Sequence, residues 1–175
     1  KKVIILGAGN IARTIEKMLR GFDCTVTFYA RRTPGAELRT PADLLAALPE
    51  ADIVISCLPG TEETKGLFTP AMIAAMKHRA IYCNVGRGNL LSSEQALIDA
   101  LVQHRIGGAV LDVTAEEPLP PEHPLWNCPR TVLTQHSGGG STAEFEGIID
   151  CFLENLVAFK TGIPMKNVIR FDKGY

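Results

Sequence analysis

No run of apolar residues in the 175-residue sequence approaches the ~20 that cross a bilayer, and the opening "KKVIIL" is too short a hydrophobic stretch for a signal peptide. A cytoplasmic protein with no membrane partner is expected. Excess charge is also missing: 18 Lys and Arg stand against 19 Asp and Glu, a net charge of -1. That balance argues against the broad basic footprint of a nucleic-acid-binding protein. The five cysteines, Cys24, Cys57, Cys83, Cys128 and Cys151, contain no CxxC pair. Small buried thiols are expected, with no disulfide. No pair among His78, His104 and His123, all read as surface residues, has metal-ligand spacing with a nearby cysteine, so no metal is expected. There is no short-period repeat and no segment of low complexity.

What is present is enough apolar side chain, 46% of residues, for one well-cored unit. "KVIIL" is a short branched run stopped by glycine, and Ile11, Ile15, Met18 and Leu19 follow at helical spacing. "CTVTFY" is the next strand, "PADLLAALPE" a short helix from Pro41, and "DIVISCL" a third strand. A helix from Pro70 to His78, the strand "AIYCNV" and a helix capped by Ser92 and Ser93 and running to His104 continue the alternation. "IGGAVLDV", "TVLT" and an apolar helix from about Ser141 to Phe159 complete it. Six strands separated by helices predict an α/β fold, a doubly wound parallel sheet. The segment "TAEEPLPPEHPLWNCPR", with five prolines, reads as a stiff functional loop that Trp126 is expected to pin by packing.

Gly7, Gly9 and Ala12 in "GAGNIA" give the spacing GxGxxA directly after the first strand. The first glycine allows a tight turn, the second lets a pyrophosphate approach the backbone, and the small third residue lets helix pack on strand. The helix N-terminus, opened by Asn10 and Ile11, offers N–H groups to phosphate. An NAD-binding chain would close its second strand with an acid for the ribose hydroxyls. This strand ends in Ala30, Arg31 and Arg32. Alanine removes the repulsion of a 2′-phosphate and the arginines can fork onto it, so NADP is expected. NAD is the alternative, with the arginines solvating a loop.

Three further stretches point to catalysis: "NVGRG", "LDVTAEEPLP" and "LTQHSGGGS". Each follows the carboxyl end of an expected strand, so Arg87, Glu117 and His136 can converge in one crevice. Arginine can grip a carboxylate with two hydrogen bonds, histidine can pass a proton to or from an oxygen, and a glutamate on the imidazole favours its charged form. Together they suit interconversion of a keto acid and a hydroxy acid.

With these motifs in this order, nearly the whole chain resembles the nucleotide-binding domain of the D-isomer-specific 2-hydroxyacid dehydrogenases, most simply the glyoxylate and hydroxypyruvate reductases. The resemblance implies Arg87 as the substrate-binding arginine, Glu117 before Pro118 as the acid partner and His136 as the general acid/base. It implies Asp112 at the nicotinamide carboxamide and Leu58, Pro59 and Thr64 of "CLPGTEET" under the cofactor, with Val85, Gly86 and Gly138 also at the cofactor site. Departures are Ala12 for the third glycine, Ala30 for the usual acid and Gln135 where proline is common.

Residues 1–162 are expected to form this domain, with 163–175 the start of a return segment to a substrate domain that the family carries and these 175 residues lack. A fragment is therefore expected, binding cofactor but turning over poorly, because hydride transfer needs a closed, water-free site. The resemblance also implies a homodimer. Two alternatives remain: an NAD-linked relative such as phosphoglycerate dehydrogenase, and a dinucleotide-sensing protein like the related transcriptional corepressors.

Overall fold

The structure is a computed structural model that describes residues 1–138, 140, 142–169 and 171. The expected helix start at Ser141 and the tail positions 170 and 172–175 lie outside the described residues. The chain divides into two compact units, Lys1–His136 and Ser137–Tyr175.

In the first unit, short β-branched and aromatic runs form β1 (Lys2–Leu6), β2 (Thr25–Tyr29), β3 (Ile53–Ser56), β4 (Ile81–Asn84), β5 (Gly108–Leu111) and β6 (Thr131–Leu133). They make one six-stranded sheet in the order β2-β1-β3-β4-β5-β6, with every neighbouring pair parallel. The crossovers carry α1 (Asn10–Arg20), α2 (Pro41–Ala47), α3 (Pro70–Ala75) and α4 (Glu94–Val102). Successive strand residues serve opposite faces. Ile4 and Leu6 of β1 join Leu44, Met72 and Leu97 from α2, α3 and α4, while Val3 and Ile5 join Ala12 of α1 with Phe28 and Ile55. The expected parallel α/β sheet is present.

Beyond β2, Leu38 makes an isolated parallel bridge to Tyr29: its N–H donates to the Phe28 carbonyl and its carbonyl accepts from Ala30 N–H, both at 3.0 Å. Taken as a rudimentary edge strand, it gives the strand order of the dinucleotide-binding fold, which reverses direction between β1 and β3. Ligands of such sheets bind outside the carboxyl ends of the strands at that reversal.

Local chemistry sets the helix ends. Thr40 and Asp43 cap α2 reciprocally with Pro41 in its first turn, and Ser93 caps α4 by accepting from Ala96 N–H. α3 and α4 stop short of the expected His78 and His104. The chain leaves helical geometry at Met76 (ψ 141°), and Arg79 (φ 71°) and His104 (φ 58°) take left-handed turns into the next strands.

The second unit is α5 (Glu144–Thr161) and the segment after it. Gly162, with φ 71°, ends the helix in a left-handed cap. The following residues fold back on it: Asn155 donates to the Lys166 carbonyl at 3.0 Å and accepts from its N–H at 2.7 Å, and Lys166 pairs with Glu154. α5 has no buried residue, and Phe145, Phe152 and Phe159 on it are exposed. Among the described residues, no helix is long and apolar enough to cross a membrane.

Candidate active site

At the end of β1 the chain turns through Gly7, whose φ of 109° is strained for any residue with a side chain. A Cβ there would also stand 3.4 Å from the Cys57 carbonyl oxygen of the neighbouring strand end. α1 then starts from Gly9 with no side-chain cap, and a Cβ on Gly9 would meet nothing within 4 Å. Uncapped N–H groups facing open space are what a pyrophosphate needs, so these residues fit a dinucleotide. Asn10 and Ile11 are exposed at this mouth, and Ala12 is buried against the sheet.

Arg31 and Arg32, just past β2, are brought together by a residue from the β3–α3 loop. One oxygen of Glu63 accepts from Arg31 Nη2 at 2.7 Å and the other from Arg32 Nη2 at 2.8 Å. The loop is organised by Thr64, which is buried. Its hydroxyl donates to the Pro59 carbonyl at 2.6 Å and accepts from Thr61 N–H at 2.9 Å. Thr64 therefore shapes the loop, and Leu58 packs against the core beneath it.

Beyond β4, Val85 N–H bonds the Ser56 carbonyl and Gly86 N–H bonds the Asn84 side chain, fixing the loop that carries Arg87. Gly88 lies so close to the Thr114 carbonyl that a Cβ could not be placed there, and the β4 and β5 loops are thereby pressed together. In the β5 loop, Thr114 N–H donates to Glu117 Oε1 at 3.0 Å, and Glu117 Oε2 lies 2.9 Å from His136 Nδ1. Burial raises the Glu117 carboxyl pKa, but the hydrogen bond with His136, the Thr114 N–H and the charges of His136 and Arg87 outweigh it and leave it below the ordinary value. An ionised carboxylate only accepts, so the imidazole Nδ1 carries the hydrogen and Nε2 is left for chemistry. His136 has a left-handed φ of 57°, and Gln135 beside it lines the same cavity.

That cavity, about 230 Å³, is bounded by Asp112, Glu117, Trp126, Thr134 and His136 with Pro118, Leu119 and Leu133. Asp112 is buried and accepts a short hydrogen bond from the Thr134 hydroxyl. Arg87 is outside the cavity lining. It acts on Glu117 through its charge, while its Nη1 donates to the Gly86 carbonyl at 2.7 Å. Gly138 lies in the second unit.

Residues 1–138 match the family described as D-isomer specific 2-hydroxyacid dehydrogenase, NAD binding domain. The chain belongs to this family. It is 38% identical over 174 residues to glyoxylate/hydroxypyruvate reductase B of Escherichia fergusonii, covering 97% of this chain and 53% of the relative. To the glyoxylate reductase of Pyrococcus horikoshii it is 36% identical over 169 residues, 93% of this chain and 49% of that protein. The chain thus spans about half the length of these relatives. The crystal structure of an NADPH-dependent glyoxylate/hydroxypyruvate reductase from Sinorhizobium meliloti, in complex with NADP and sulfate, superposes with a TM-score of 0.89 at 27% identity. That match covers 99% of this chain and 57% of the other.

The Glu94 contacts are supports that sequence reasoning did not find. Glu94 accepts from Ala115 N–H at 3.0 Å and lies 3.2 Å from His123 Nε2, tying the start of α4 to two points of the proline-rich loop. His123 is therefore half-buried and paired, where a surface histidine was expected. Trp126 was expected to be packed but is 53% exposed. It pins the loop through Nε1, which donates to the Pro120 carbonyl at 2.8 Å, and presents its ring to the cavity. All five cysteines are free thiols, but only Cys128 is fully buried. Burial, then the neighbouring Cys83, pushes the Cys57 thiol up to about 11.

Proposed function

We propose that this domain is the cofactor-binding and catalytic half of an NADP-preferring reductase of small 2-keto acids, with glyoxylate and hydroxypyruvate as the first candidates. The observation that carries this reading is the contact of His136 with Glu117, 2.9 Å at the rim of a cavity of about 230 Å³. When bound, the nicotinamide supplies the hydride that reduces the carbonyl carbon. Arg87 holds the substrate carboxylate by paired hydrogen bonds. His136 Nε2 gives its proton to the carbonyl oxygen, which becomes the hydroxyl, and takes it back in the reverse direction. Glu117 fixes the ring and stabilises the imidazolium, and the close approach of Gly88 to Thr114 keeps the loops of Arg87 and Glu117 together.

In this reading Gly7, Gly9, Asn10 and Ile11, then Leu58, Pro59 and the loop held by Thr64, and then Val85, Gly86 and Asp112 would hold the dinucleotide, while Gly138 is included on the family resemblance alone. The reading includes a cytoplasmic homodimer, in keeping with the family resemblance. Arg31 and Arg32 take the 2′-phosphate. One observation favours an NAD-linked relative instead: Glu63 already neutralises part of the charge of both arginines. Calorimetric titration with NADPH and NADH at fixed salt, on the native chain and with Arg31 and Arg32 both changed to alanine, separates the two. An NADPH preference that collapses in the variant supports the NADP reading, and equal affinities throughout support the NAD-linked one.

A further inference from the structure

We propose that Glu63 is a specificity-determining residue, a carboxylate that occupies Arg31 and Arg32 where a ribose 2′-phosphate would bind and must be displaced before NADP can be held. The inference rests on the NADP reading of the two arginines. Its basis is the geometry: each carboxylate oxygen accepts from a different guanidinium, at 2.7 and 2.8 Å, as the oxygens of a phosphate shared by two arginines would.

Two guanidinium groups on consecutive residues repel each other, and nothing in the exposed turn after β2 would by itself hold both toward one point. Glu63 does so from across the crevice. Its backbone is set by the turn around buried Thr64 and by Gly66 N–H, which donates to the Asn89 carbonyl at 2.9 Å, while its own side chain is about half exposed. The carboxylate can therefore swing away without the loop unfolding. The acid that β2 lacks is thus supplied from the next loop, pre-forming the arginine fork and setting a threshold for the incoming phosphate. A phosphate near -2 charge outcompetes a carboxylate for two guanidiniums, but binds less tightly than it would to free arginines. NADH carries a neutral hydroxyl at that position and does not have to displace the carboxylate.

The test is calorimetry with NADPH and NADH on the 175-residue chain in four forms: native, Glu63→Gln, Glu62→Gln and the Arg31→Ala, Arg32→Ala pair. Glu63→Gln is expected to tighten NADPH about three- to tenfold, the scale of losing two exposed ion pairs as competitors, without tightening NADH. Glu62→Gln, an adjacent exposed acid, removes the same net charge and should leave both affinities near native. The proposal is overturned if Glu63→Gln leaves NADPH affinity unchanged while the arginine pair destroys it, since the arginines then act and Glu63 does not. Equal tightening by Glu62→Gln also overturns it, by showing a general field effect. An arginine pair that changes nothing removes the NADP reading itself and this inference with it.

Discussion

Glu117 receives two hydrogen bonds on its two oxygens, from Thr114 N–H at 3.0 Å and from His136 Nδ1 at 2.9 Å, so the loops after β5 and β6 meet on one carboxylate. The residue is exposed, and the desolvation its carboxyl does undergo would by itself raise its pKa. The hydrogen bonds and the positive charges of His136 and Arg87 lower it below 4.5. A depressed folded value means that the contribution of this group to stability is present above its unfolded value and lost as the pH falls through the folded one. In carbon-detected NMR titration, the Glu117 carboxyl is expected to titrate below its ordinary value in the native chain. It should move upward in His136→Ala, which removes the largest influence that lowers it. An unchanged midpoint would break the link between the two residues.

Asp52 makes a second pH-dependent contribution, away from the contact of Glu117 with His136. Lys77 Nζ at 2.8 Å and Lys2 N–H at 2.9 Å hold its carboxyl down from 3.8 to about 2. The stability from this group is fully present above about 4 and lost as the pH falls toward about 2. Denaturant unfolding of the native chain across that window is expected to show a loss that Asp52→Asn reduces. Parallel pH profiles for both would show that the pair is thermodynamically silent.

The contact of Gly88 with the Thr114 carbonyl predicts an effect on stability and catalysis together. Gly88→Ala forces backbone apart in a buried place and is expected to cost about 1–3 kcal/mol, roughly 2–4 °C in Tm for each kcal/mol. Because the displaced segments carry Arg87 and Glu117, turnover of glyoxylate by this domain joined to the substrate domain of a family member should fall by more than the unfolded fraction explains. A variant with native Tm would show that the loops are not pressed together.

The sheet was legible because "KVIIL", "DIVISCL" and "TVLT" are short apolar runs, each leading into a loop with glycine or polar residues, and that alternation admits few topologies. Glu117 was separable from Glu116 only through Pro118, yet it is Glu117 that meets His136. Glu63 was illegible, since nothing local distinguishes it from Glu62 in "GTEET" and its partners Arg31 and Arg32 belong to a different loop. The same holds for Glu94 and His123, joined only when α4 and the proline-rich loop meet. Trp126 pins its loop as expected, but through its Nε1 and not by burial: its size suggested packing, whereas it is exposed and lines a cavity.

The most direct test of the account is turnover of glyoxylate with NADPH by this domain joined to the substrate domain of a family member, compared between the native sequence and His136→Ala, with NADPH affinity measured on both. The account predicts a fall in turnover of about 10²–10⁴-fold, the usual contribution of a positioned acid/base, with cofactor affinity nearly unchanged. Turnover within a few-fold of native in His136→Ala would contradict it, because the contact between His136 and Glu117 would then be a structural hydrogen bond and the proton would come from elsewhere.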